Sequence, residues 1–186
     1  MPRYFALEWD SSELRAVVAR TKGNELALEQ TWSIALTPRA GQAVGDLLVE
    51  KITELVREAK AGKTETLLAV GRANLELRIL TVPSAPEEET PELVRFQAMR
   101  QFSSLGEDWA VDYVPLNERQ EEGQTVLAAA LSPDLIQQLT GPCQSAGLNV
   151  RRIALRPFAA AALVRERFTD DNCRLLVDLL TDEADL

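Results

Sequence analysis

The amino-terminal part of the chain contains two short runs of alternating apolar and polar residues, separated by turn-forming residues. Residues 3–10 and 14–20 have the period of two that is typical of strands with one buried face. The Asp-Ser-Ser-Glu sequence at 10–13 favours a tight turn, because Asp and Ser side chains can bond to the nearby backbone. A Gly-Asn pair at 23–24 predicts a second turn before the run ELALEQTWSIAL. The chain is therefore predicted to open with a meander of three strands.

A helix and a buried strand are predicted next. Apolar residues recur at helical spacing between Val44 and Ala59, and Gly62 supplies a stop at the carboxyl end of the helix. The run TETLLAVG that follows has the apolar content of a short buried strand. The opening order is thus three strands, a helix and a strand.

The middle of the chain, residues 75–155, has its own order of strand, helix, strand, strand, helix and strand. The predicted strands cover LELRILTV, WAVDYVPL, QTVLAAAL and NVRRIAL. The helices begin at Thr90-Pro91 and Ser132-Pro133, because proline fits the first helical position. This is the βαββαβ order of a ferredoxin-like unit, a fold that hosts many functions and indicates none by itself.

The last part of the chain predicts one more helix, over PFAAAALVRERF, and an apolar strand over CRLLVDLL. We therefore divide the chain into a discontinuous core, residues 1–71 and 156–186, and an inserted ferredoxin-like subdomain, residues 72–155. The fold class is α/β with an α+β insert. A strand followed by the first residues of a turn stands at the end, so we expect a part of a longer chain.

The composition argues against several classes of function. The net charge is −9 and charge clusters are acidic, which argues against nucleic-acid binding. The absence of histidine excludes Ser-His-Asp and Cys-His nucleophiles and histidine-based metal sites. Cys143 and Cys173 have no nearby ligand partners and are predicted to be buried thiols. The apolar runs are too short to span a membrane and no signal peptide is present, so we expect a cytoplasmic protein.

Two longer passages resemble the type IV pilus assembly protein family PilM. The passage GRANLELRILTVPSAPEEETPELVRFQAMRQFSSLGEDWAVDYVPL has the family's apolar strand, Pro-x-x-Pro-Glu-Glu-Glu segment, aromatic-bearing helix and Asp-Tyr strand. The passage VLAAALSPDLIQQLTGPCQSAGLNVRRIALRPFAAAALV is similar to the segment that follows in the family. The resemblance covers nearly the whole chain and implies an actin-like, ribonuclease-H-like fold. The cytoplasmic L-type component of type II secretion systems is the nearest alternative.

The resemblance also implies two phosphate-binding turns. In this fold each turn begins at a strand-end Asp, followed two residues later by Gly, then by Ser or Thr, with a Lys further on. Gly lets backbone N–H groups approach the anion, and the Asp holds hydrated Mg²⁺. On the first motif, Glu8 falls at the Asp position and Asp10 at the Gly position. Ser11 and Ser12 fall at the hydroxyl positions, and Arg15 falls at the Lys position.

The second motif falls on VDLLTDEADL, where Asp178 matches the strand-end Asp and Leu180 replaces the Gly. At the first turn, a phosphate about 4 Å from the Asp10 carboxylate would be repelled by roughly 4 kcal/mol at an effective dielectric constant of about 20. That energy corresponds to a loss of about a thousandfold in the affinity for phosphate. The candidate cofactor-binding residues are then remnants of phosphate loops: Glu8, Ser11, Ser12, Arg15 and Asp178. We expect no catalytic residue, no metal site and no bound nucleotide. The alternative for 10–13 is an ordinary solvated hairpin turn.

These features favour a non-enzymatic scaffold of a pilus or secretion-type assembly. The resemblance implies that it lies at the inner face of the membrane without spanning it. There it would bind the short cytoplasmic N-terminal segment of a membrane-anchored, PilN-like partner. The alternative is an active actin-like ATPase that uses ATP and Mg²⁺. A third possibility is a stand-alone ferredoxin-like binding module; against it, we expect residues 1–70 and 156–180 to share one sheet.

Overall fold

The computed structural model describes residues 1–23, 25–103, 105–116, 123–168, 174–180 and 184–185. The strands are β1 (Arg3–Trp9), β2 (Glu13–Lys22), β3 (Glu25–Ala35), β4 (Glu65–Val70), β5 (Glu76–Val82), β6 (Ala110–Pro115), β7 (Gln124–Leu131), β8 (Val150–Leu155), β9 (Asp178–Leu179) and β10 (Ala184–Asp185). The α-helices are α1 (Val44–Glu58), α2 (Thr90–Gln101), α3 (Pro133–Ser145) and α4 (Arg156–Arg167). The chain divides into two compact units, residues 1–71 with 138–186 and residues 72–137.

The first unit is built on a five-stranded sheet with the strand order β3-β2-β1-β4-β8. Strand β2 pairs antiparallel with β1 on one side and with β3 on the other, which confirms the predicted meander. Strand β4 lies parallel to β1, and β8 lies parallel to β4. Alternate residues of β2 are buried, as its period of two predicts. The sheet thus brings the β1–β2 turn to the end of a well-packed strand pair.

Helix α1 contributes an apolar stripe to the core of the first unit. Leu48, Ile52 and Leu55 recur at helical spacing and are buried together with Phe5 and Leu14 of the sheet. Burial of a large aliphatic side chain of this kind stabilises a fold by about 1.5–3 kcal/mol. The predicted helix is confirmed, but Gly62 is not its stop: α1 ends at Glu58, and the residue in the left-handed conformation after it is Lys60, with φ 51°.

Cys143 is a free, buried thiol in this same core, as predicted. Burial disfavours the thiolate and raises the pKa of Cys143 to about 12. The thiol is therefore protonated and inert at neutral pH. Cys173, which was predicted to be buried as well, lies outside the described residues.

The second unit is a three-stranded antiparallel sheet, in the order β5-β7-β6, with α2 packed against it. Its core combines Leu80 of β5, Val126 of β7, and Val94 and Ala98 of α2. The predicted order of elements is confirmed, but the sheet holds three strands where a ferredoxin-like unit has four.

The predicted fourth strand of the insert, β8, belongs instead to the five-stranded sheet of the first unit. Ile153 of β8 and Leu148 before it pack into the core of that unit. The boundary between units therefore falls within α3, between Gln137 and Gln138, and not after residue 155. The pairing of β8 with β4 also argues against a stand-alone ferredoxin-like module, which would need this strand in its own sheet. Alternation marks β8 as a strand without specifying which strand lies beside it.

The end of the chain differs from the prediction in another respect. The run CRLLVDLL was predicted to be one strand, but within its described part only Asp178 and Leu179 form strand β9, which pairs with β10. The five-stranded sheet receives β8, and no strand from the described residues of 156–180 joins it. The expectation that residues 1–70 and 156–180 share one sheet is therefore wrong. None of the helices within the described ranges combines the length and apolar character needed to cross a bilayer.

Candidate functional site

The β1–β2 turn is the first of the two predicted phosphate loops. The hairpin ends at the cross-strand pair Trp9 and Leu14, so residues 10–13 form the turn itself. The Asp10 N–H group donates a hydrogen bond to the Glu13 carbonyl at 3.0 Å and closes the turn. The Leu36 N–H group donates to the Ser12 carbonyl at 2.6 Å, which attaches the turn to the end of β3.

The carboxylate of Asp10 folds back into this turn. Its Oδ1 atom accepts hydrogen bonds from the Ser12 N–H at 2.8 Å, the Ser12 hydroxyl at 2.9 Å and the Glu13 N–H at 2.9 Å. The Asp10 side chain is only 6% exposed. Successive N–H groups of this kind form a concave anion-binding site. In this chain the anion is the carboxylate of Asp10 itself.

Hydrogen bonding holds that carboxylate in its charged form. Burial disfavours ionisation, but the hydrogen bonds from Ser12 and Arg15 outweigh it and lower the pKa of Asp10 to about 2. Asp10 is therefore ionised at neutral pH. Its carboxylate accepts the hydrogen bonds of the N–H groups that a phosphate would need.

Arg15 connects the acidic residues around the turn. Its guanidinium lies 2.9 Å from Asp10 and 2.6 Å from Glu13. A third contact, at 3.1 Å, reaches Oε1 of Glu8 on β1. Burial works against the charge, but the hydrogen bonds to these three carboxylates outweigh it and raise the pKa of Arg15 above its ordinary value. Three acids against one arginine leave the turn with net negative charge.

Arg156 is a member of this charge network that sequence reasoning missed. It begins α4, is 7% exposed, and places its Nη1 atom 3.9 Å from Oε2 of Glu8. Its Nε atom lies 3.6 Å from Oδ2 of Asp178 in β9. The carboxylates predicted at the two strand ends, Glu8 and Asp178, are thus bridged by one guanidinium. The only signal in the sequence was an arginine directly before the proline that starts α4.

The structure brings most of the predicted site residues together. Glu8, Ser12 and Arg15 lie in one network around the turn, and Asp178 joins it through Arg156. Ser11 is exposed in the same turn. For the second predicted loop, the described residues end at Leu180 and resume at 184. Asp182 and Glu183, the acidic residues that follow Leu180 closely in the sequence, lie outside the described residues.

A cavity of about 390 Å³ adjoins the turn on the first unit's sheet. It is lined by Ala6, Leu7, Glu8, Arg15, Ala16, Val17, Thr31, Trp32, Ser33 and Ala69. Most of this lining is apolar. Its two charged residues, Glu8 and Arg15, are paired with each other. The one cationic side chain among the described residues of the cavity lining, Arg15, is therefore already neutralised and does not offer a free charge to a phosphate.

The residues present do not fit a nucleotide with its Mg²⁺. The turn donors bind Asp10, and the position between the strand-end carboxylates holds the cationic head of Arg156. Among the described residues, no cluster of three or more Asp, Glu, Cys or His side chains has the arrangement of a metal site. Chemically, the network can hold the turn, β1, α4 and β9 in place.

No protein-family model and no curated protein sequence matches the chain. Solved structures do match it. The PilM–PilN type IV pilus biogenesis complex contains a chain with 26% identity and a TM-score of 0.73, over 88% of this chain and 50% of that one. The cytoplasmic domain of EpsL, an inner-membrane component of the Vibrio cholerae type II secretion system, matches with 11% identity and a TM-score of 0.56, over 84% of this chain and 58% of that one. The chain therefore spans about half the length of the PilM–PilN match.

Proposed function

We propose that this chain, which has the PilM-like form of the actin-like fold, is a non-enzymatic scaffold of a type IV pilus or type II secretion-like assembly. The observation that carries the proposal is the match to the PilM–PilN complex along 88% of the chain at 26% identity. The likeness to the EpsL domain supports the same fold. The proposed partner is a membrane-anchored, PilN-like protein whose short cytoplasmic N-terminal segment binds this chain. The scaffold would then lie in the cytoplasm, at the inner face of the membrane.

The β1–β2 turn supports the non-enzymatic part of the proposal. An ATPase of this fold needs backbone N–H groups that are open to the nucleotide phosphates. Here the N–H groups of Ser12 and Glu13 bind the Asp10 carboxylate, at 2.8 and 2.9 Å. A phosphate would have to displace that carboxylate and approach a turn with net negative charge.

The partner proposal is tested with the full-length protein and a synthetic peptide. The peptide is the cytoplasmic N-terminal segment of the proposed PilN-like partner from the same organism. We expect saturable binding in fluorescence anisotropy, unchanged by Mg-ATP, and no binding of a scrambled peptide of the same composition. Absence of binding, or equal binding of the scrambled peptide, would reject the adaptor role.

The non-enzymatic proposal has a separate test. Mg-ATP is titrated into the full-length protein in a calorimeter, and phosphate release is followed in parallel. We expect no heat of specific binding and no release above the rate without protein. Tight, Mg²⁺-dependent binding would favour the actin-like ATPase instead. The double substitution Asp10→Gly and Leu180→Gly sharpens the result, since a decayed site should gain nucleotide affinity.

A further inference from the structure

The contact between Arg156, Glu8 and Asp178 joins three separate elements of the first unit. Glu8 lies near the end of β1, Arg156 starts α4 and Asp178 starts β9. The guanidinium approaches one oxygen of each carboxylate, at 3.9 Å and 3.6 Å. The other oxygen of Glu8 contacts Arg15 at 3.1 Å. Acids and arginines therefore alternate from Asp178 to the β1–β2 turn.

The side chain of Arg156 is more deeply buried than the two carboxylates that it contacts. The Arg156 side chain is 8% exposed, whereas Asp178 is 37% exposed and Glu8 is 21% exposed. A buried guanidinium costs free energy unless carboxylates or other acceptors compensate its charge. Glu8 and Asp178 approach the guanidinium of Arg156 from two different strands. Their negative charges therefore compensate the buried positive charge of Arg156.

We propose that Arg156 takes the place of the divalent cation that Glu8 and Asp178 would otherwise share. Aspartate and glutamate oxygens are the ligands that Mg²⁺ and Ca²⁺ prefer in proteins. Arginine keeps its charge throughout the physiological pH range, and its planar head can address both carboxylates at once. The chain thus supplies this positive charge covalently, and the ends of β1 and β9 stay together without a metal ion or nucleotide. This inference concerns the charge site alone, so it stands or falls separately from partner binding.

The test is the response of thermal unfolding to divalent cations at constant ionic strength. We expect Mg²⁺ and Mn²⁺ at millimolar concentration to leave the Tm of the unmodified protein unchanged relative to NaCl. Arg156→Gln should have a lower Tm, because the two carboxylates lose their counter-charge. Addition of Mn²⁺ should then raise that Tm by roughly 3–6 °C when the ion is present at about ten times its Kd.

The double variant Arg156→Gln, Asp178→Asn is the matched control. It lacks one of the two carboxylates, so the recovery with Mn²⁺ should be lost. Equal recovery in both variants, or no recovery in Arg156→Gln, would overturn the proposal and leave Arg156 as an ordinary ion pair.

A second measurement avoids the risk that Arg156→Gln does not fold. Mn²⁺ is added to the isotope-labelled, unmodified protein, and paramagnetic broadening of backbone amide signals is recorded. The exposed acids Glu87, Glu88 and Glu89 serve as the reference for non-specific binding. Amides near Glu8 and Asp178 should broaden no more than this reference. Selective broadening at Glu8 and Asp178 would show that a metal ion enters beside Arg156, which would overturn the proposal.

Discussion

The two acidic strand ends of the first unit are neutralised in different ways. At the end of β1, Asp10 is compensated by groups close to it in the sequence, with contacts of 2.8–2.9 Å to the backbone of Ser12 and Glu13 and to Arg15. At β9, Asp178 meets Arg156, far away in the chain, at 3.6 Å. A local turn can thus enclose a carboxylate by itself, whereas the carboxylate of Asp178 depends on a cation from another element. We therefore expect the turn to contribute more stability than the β9 contact.

The largest effect is expected from Arg15→Met. This substitution keeps the apolar stem but removes the charge that three carboxylates share. The Arg15 side chain is 25% exposed, so the loss should be smaller than for a fully buried ion pair, at about 2–3 kcal/mol of unfolding free energy. Urea-induced unfolding, followed by circular dichroism, measures the change.

Arg20→Met is the matched control for this variant. Arg20 lies on the same strand and pairs with Glu29, but its side chain is 52% exposed. An exposed pair of this kind contributes about 0.5 kcal/mol or less. If both arginine variants lost the same free energy, the turn would have no special role in stability.

The next largest effect is expected from Asp10→Ala, which empties the turn of its carboxylate. The pKa of Asp10 is about 2 in the folded protein, below its usual value. The lowered pKa corresponds to about 2 kcal/mol of stability at neutral pH. Asp10→Asn should lose less, since the amide oxygen can still accept hydrogen bonds from the backbone N–H groups of Ser12 and Glu13.

The same carboxylate predicts a pH dependence. A pKa that is lower in the folded than in the unfolded state stabilises the fold above the unfolded pKa, near 4, and this stability is lost as the pH falls towards 2. The difference in unfolding free energy between the unmodified protein and Asp10→Ala should therefore shrink between about pH 4 and pH 2. A difference that stayed constant over this range would mean that the charge of Asp10 contributes nothing.

The smallest effect is expected from Asp178→Asn. Its carboxylate is 37% exposed and its distance from Arg156 is long for an ion pair, so we expect a loss below about 1 kcal/mol. Arg156 keeps its contact with Glu8 in this variant. Differential scanning calorimetry resolves such a change. A loss as large as that of Arg15→Met would reverse the comparison between the two strand ends.

Much of the fold follows from local patterns. The meander, α1 and the element order of the middle segment were predicted from periodicity and turn residues, and the structure has them. The turn at 10–13 was predicted both as a remnant phosphate loop and as a hairpin turn whose Asp bonds the backbone. The observed hydrogen bonds from the Ser12 and Glu13 N–H groups to Asp10 are those of a hairpin turn whose Asp bonds the backbone. This turn lies where the resemblance places the first phosphate loop. By contrast, β8 was assigned to the wrong sheet, since alternation specifies faces and not neighbours.

Local sequence patterns are enough to predict most of the elements before residue 168, their apolar faces and an acid where a phosphate loop has glycine. These features depend on residues within a few positions of one another, so they can be predicted from the sequence alone. The pairing of β8 with β4 and the position of Arg156 between Glu8 and Asp178 follow from the three-dimensional fold and were not predicted. Those contacts join residues far apart in the chain. The energies of these contacts depend on the distances between the groups and on their burial in the folded protein. Neither quantity can be predicted from residues that are adjacent in the sequence.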